Sequence, residues 1–67
     1  MTSTLAVARG VEAYRAQIAT TEDVAQAHDV AQKALTEINT LLSPLDRSRL
    51  AERVDDALAE RLRRDGT

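Results

Sequence analysis

Apolar residues recur along this chain at intervals of three and four, in three runs separated by two short polar breaks. That period is helical, and the middle run, 22–42, shows it most clearly because it contains neither Gly nor Pro. Wound at about 100° per residue, Val24, His28, Ala31, Leu35, Ile38 and Leu42 fall along one line. Ala27, Val30, Ala34 and Leu41 flank that line on one side, and Glu22, Gln26, Asp29, Lys33, Glu37 and Thr40 lie opposite. The apolar arc spans roughly 160°, wider than the seam of a two-stranded coiled coil, so this helix is expected to touch two neighbours.

The first run, Val7, Val11, Tyr14 and Ile18, is narrower. Thr2, Ser3 and Thr4 offer side-chain oxygens to cap its start. Gly10 interrupts it, as a tolerated weakness near a helix start, a close helix approach or a hinge. The break Thr20-Thr21-Glu22-Asp23 suggests a capping box on Thr20 with Asp23 as its acid. The break Ser43-Pro44-Leu45-Asp46 is sharper: Ser at the N-cap, Pro at the first helical position and an acid at the third. Leu42 and Arg47 fall at the hydrophobic-staple positions, although Arg offers only its methylenes. From there Leu50, Val54, Leu58 and Leu62 carry the third run to Arg61, Arg63 and Arg64, with Gly66 suited to end it. Their spacing of four drifts too fast for a heptad seam and suits packing across another helix. The pattern predicts helices near 4–19, 22–42 and 44–64 in a single all-helical domain, 1–67. With short connections, that is a small three-helix antiparallel bundle, a helical hairpin plus an N-terminal helix.

Composition makes such a bundle thin. Hydrophobic residues are 43% of the 67, but twelve of them are Ala, which leaves seventeen larger apolar side chains. A chain of this length buries only about 60% of the surface its unfolded form exposes. Without Cys, no disulfide or thiolate-held zinc can compensate. Self-association, or folding against a partner, would bury more apolar surface per residue.

Charge narrows the function classes. A net charge of −2 argues against a generally cationic nucleic-acid or membrane binder. Arg61, Arg63 and Arg64 remain a candidate phosphate-contacting cluster, although helix-end charge compensation accounts for them equally well and no aromatic accompanies them for base stacking. His28 is the sole His, with no second ligand or nucleophile at usable spacing, so it reads as a boundary or interface residue whose contact would respond to pH if it were buried. The acids of the third run are interspersed with Arg, as on a salt-bridged wet face, with Glu60 and Arg64 expected to pair. Two glycines cannot build a phosphate loop. No apolar stretch is long enough to span a membrane and the N-terminus carries no leader pattern, which gives the cytoplasm as the expected compartment.

The expected function is a non-catalytic protein–protein interaction module, a small homodimeric adaptor or regulator acting by burial of helix faces. The expected interface is the second flank of the middle helix, Val30, Ala34 and Leu41, with Tyr14 and His28 beside it. No catalytic residue, metal, cofactor or small-molecule substrate is expected. The alternatives are a nucleic-acid-associated regulator using Arg61, Arg63 and Arg64, and a structural component of a larger assembly.

Overall fold

The computed structural model describes residues 4–65, which form α1 (Thr4–Thr20), α2 (Val24–Leu41) and α3 (Pro44–Arg64). All three pairs of helices touch and the described residues include no strand, so the apolar period has produced the expected three-helix bundle. Its direction is fixed by contacts between α1 and α3. Thr4 donates to Asp46, Arg53 to Glu12 and Arg61 to the Ile18 carbonyl, at nearly constant sequence separations of 42, 41 and 43. Those two helices therefore run parallel and α2 runs back between them, in a rod of 40 × 17 × 15 Å.

Local chemistry sets the helix ends. Asp23 is extended, and its carboxylate accepts the Gln26 N–H at 2.8 Å, which makes it the N-cap of α2. The capping box expected on Thr20 does not form. Thr20 closes α1 instead, its hydroxyl donating to the Ala16 carbonyl, and α2 starts two residues later than the apolar pattern places it. Ser43 stands at the N-cap of α3 with Pro44 following, as expected, but its hydroxyl donates to the Asp46 side chain and caps no backbone N–H. Arg47 fills the staple position as a donor, reaching the Leu42 carbonyl at 3.1 Å. The cap candidates Thr2 and Ser3, and Gly66 at the other terminus, lie outside the described residues.

The core is built from Val7, Val11 and Ile18 of α1, Ala27, Ala31, Ala34 and Ile38 of α2, then Leu42, and Leu50 and Val54 of α3. Ile18, Ile38 and Val54 are completely enclosed. On α2 the buried line is turned about 50° round the helix from the predicted one, toward Ala27 and Ala34. Packing explains the rotation. Helix axes at 8–10 Å need small side chains where they approach most closely, so three alanines take the centre and the larger Val24, Val30 and Leu35 are left half-buried at its edges.

Gly10 sits inside an unbroken α1, and nothing lies within 4 Å of where its Cβ would be. Neither a close approach nor a hinge accounts for it; it is a tolerated weak residue.

Candidate functional site

The two ends of the rod are built differently, and the residues singled out from the sequence distribute between them. At one end α1 and α3 finish and α2 begins. There, α1 has no basic residue in its last turn to meet its terminal carbonyls. Arg61 of α3 supplies the donors. Nη1 donates to the Ile18 carbonyl at 2.8 Å and to Thr21 Oγ1 at 3.1 Å, Nη2 to the Thr21 carbonyl at 2.6 Å, and Nε to Asp65 at 2.9 Å. Its side chain is only 4% exposed. Arg64 adds a bond to the Ala19 carbonyl. One guanidinium fork thus ties the last turn of α3 to the corner between α1 and α2, with its charge answered by Asp65 and by the negative end of α1.

This arrangement corrects the proposed phosphate cluster. Arg61 is buried and fully hydrogen-bonded, Arg64 is turned to α1, and among the three only Arg63 stands in solvent without a partner. The expected Glu60–Arg64 pair does not form, because Arg64 reaches the Ala19 carbonyl instead. A signal for Arg61 was present in the sequence. It continues the spacing Leu50, Val54, Ala57 on the buried side of α3, with an acid four residues on.

The flank of α2 expected to meet a partner is the one α1 covers. Tyr14 packs half-buried on the core, and its hydroxyl faces the Glu37 carboxylate. Burial, reinforced by that hydrogen bond and charge, raises the Tyr14 pKa. Val30 and Ala34 precede Glu37 by seven and three residues, on the same edge. Ala34 is accordingly buried and Val30 half-buried, so neither is free for another molecule as expected. His28 is exposed, at the edge of the predicted line that the rotation turns to solvent.

Of Val30, Ala34 and Leu41, it is Leu41 that is left substantially open, at 46%, and it belongs to the opposite end of the rod. There it is joined by Leu5 at 63% and Leu45 at 79%; these three are the exposed large hydrophobics among the described residues. Leu5 is in the first turn of α1, Leu41 ends α2 and Leu45 is in the first turn of α3, so the parallel register brings all three to one level. On their wheels Leu5 lies about 160° from Val7, and Leu45 about 140° from Leu50. The three leucines therefore form a rim round the end and not a single patch. Leu5 already stands off the Val7, Val11, Tyr14, Ile18 seam in the sequence, whereas Leu45, at the start of the third run, resembles the beginning of its seam.

Midway along the rod, Glu12 takes hydrogen bonds from Arg53 of α3 and from Arg15, and the Arg53 bond foremost holds its carboxyl below the ordinary value against a partial desolvation penalty. Among the described residues no three His, Asp or Glu side chains converge as metal ligands, and no helix is long and apolar enough to cross a membrane. Compared with known proteins, the chain matches no family model, no curated protein and no solved structure.

Proposed function

We propose that the protein is a non-catalytic interaction module that associates with a second copy of itself through the leucine rim. The observation that carries this reading is the segregation of Leu5, Leu41 and Leu45 to one end, while the other end is closed by hydrogen bonds. Fully covering a wholly exposed Leu side chain contributes about 1.5–3 kcal/mol, and these three, each already partly buried, add a fraction of that apiece where an end-on contact covers them.

The cross-section of 17 × 15 Å limits what an end-on contact offers. A face of that size lies well below the ~800 Å² per partner of a stable interface, so the association is weak and concentration-dependent. Light scattering up to about millimolar protein tests it, in the range expected of interfaces under ~1,200 Å². The average mass should rise with concentration, and the rise should disappear in the Leu41→Gln, Leu45→Gln double variant while its helical circular dichroism persists. A monomer at every concentration, or undiminished association in the double variant, overturns the reading.

A further inference from the structure

A groove of about 180 Å³ opens between the last turns of α1 and α3, lined by Arg15, Ala19, Ala57, Glu60, Arg61 and Arg64. It is independent of the leucine rim, being near the other end of the rod. Three arginine side chains line this space, and their guanidinium groups are differently committed. Arg61 has spent its donors on α1, the α1–α2 corner and Asp65. Arg64 uses Nη2 on the Ala19 carbonyl, and its Nε is 3.9 Å from Asp65. Arg15 holds Glu12 through Nη1 alone, and its Nε is shut off from solvent with no acceptor. A buried donor without an acceptor is unfavourable, and a carboxylate engaging Nε and Nη2 side-on is the geometry that satisfies a guanidinium best. Arg15 is free to turn toward such a ligand, because its side chain is 31% exposed and Glu12 keeps Arg53 as a partner.

The rest of the lining defines the ligand more narrowly. Ala19 and Ala57 offer methyl groups, which suit a small apolar substituent and would repel a fully hydrated phosphate. Glu60 places an unpaired carboxylate on the wall, which calls for an N–H or ammonium donor on the ligand next to its own carboxylate.

We propose that this groove binds an α-carboxylate flanked by a nitrogen donor, with Arg15 and Arg64 on the carboxylate, Glu60 on the nitrogen and the two alanines against a small side chain. That chemistry is shared by a small free amino acid and by the C-terminal residue of a peptide. The ¹⁵N–¹H spectrum of the intact chain, which includes the arginine Nε–H signals, reports on it during titration at low ionic strength with L-alanine, with N-acetyl-L-alanine and with inorganic phosphate. Saturable movement of the Arg15 Nε–H and of the Ala19 and Ala57 amides is expected. A stronger response to L-alanine assigns a free amino acid, and a stronger response to N-acetyl-L-alanine assigns a peptide terminus. Arg15→Lys keeps the charge but removes the fork, and it should weaken binding at least about tenfold, the loss of one bidentate charge-assisted pair. Glu60→Gln should reduce the response to L-alanine relative to that to N-acetyl-L-alanine, and Arg49→Lys, which alters a residue outside the groove, should change nothing. The proposal is overturned if phosphate binds as well as the carboxylates, if no titration saturates, or if Arg15→Lys binds like the parent chain.

Discussion

Where α2 begins, Asp23 accepts a backbone N–H and one buried arginine ties three chain segments together; where α3 begins, Ser43 caps no backbone N–H and leucines from all three helices stand in water. Both corners are short, and both carry a residue of the N-cap class. They differ in what reaches them from elsewhere in the chain. The first receives a side chain from forty residues away that satisfies terminal carbonyls, and the second is held by local contacts, Arg47 on the Leu42 carbonyl and Ser43 on Asp46, together with the Thr4–Asp46 bond. A narrow rod of three helices cannot bury the apolar residues at its own tips. This chain closes one tip with charge-assisted hydrogen bonds and leaves the other greasy.

If that contrast is right, damage at the two ends should be unequal. Arg61→Ala strands the Ile18 and Thr21 carbonyls and the Asp65 carboxylate, and should cost about 3 kcal/mol or more, read as a lower urea midpoint. Arg61→Lys should recover little, since an ammonium cannot reproduce a fork that serves four acceptor atoms at once. The two caps give a smaller test of the same asymmetry. Asp23→Ala should cost about 1 kcal/mol, whereas Ser43→Ala should shift the midpoint by a few tenths at most, because Ser43 makes no capping bond to lose. Equal losses at the two caps would erase the distinction.

Gly10→Ala belongs to neither end and should stabilise the chain by roughly 0.5–1 kcal/mol, as an open site inside a helix allows. Thermal unfolding checks it. A decrease in stability would show that Gly10 is there for a contact after all. Leu45→Gln should leave stability within about ±0.5 kcal/mol, since its side chain is mostly in water already, while reducing association. A large loss of stability would place Leu45 in the fold and not on its rim.

The smallest effect is expected between the ends, at Glu12. Its folded-state pKa is depressed by the Arg53 bond, so its contribution is present above the ordinary Glu value of about 4.3 and is lost as pH falls through the lower folded value. The difference in stability between the parent and Glu12→Gln should therefore shrink toward zero as the solution is acidified below pH 4, and it should also diminish with salt because the pair is exposed. A difference that grows on acidification would reverse the sign assigned to this carboxylate.

How much of this was legible in the residues differs from feature to feature. The break at Ser43-Pro44 could be read directly, because Pro both starts a helix well and cannot continue one from within. The break at Thr20–Asp23 is legible but its cap is not, since Thr20 and Asp23 are both competent caps and the choice depends on where α1 runs out. The direction in which α2 faces its neighbours differs from the wheel for a geometric reason. A helical wheel weights large apolar side chains, yet close packing seats the small ones, Ala27, Ala31 and Ala34, at the centre and moves the facing direction toward them. That turn brought the flank of Val30 and Ala34 under α1 and swung His28 into solvent.

From its own sequence, then, the chain determined that it would be helical, where it would break and that its core would be slight, because period, turn chemistry and composition act over a few residues at a time. Only the tertiary structure decided which flank of α2 is covered, that Arg61 is a cap for another helix and not a surface cation, and that Leu5, Leu41 and Leu45 meet at one level. Each of those outcomes depends on residues more than twenty positions apart being brought side by side, and no periodicity within a single helix encodes the rotation or register at which its neighbours will settle.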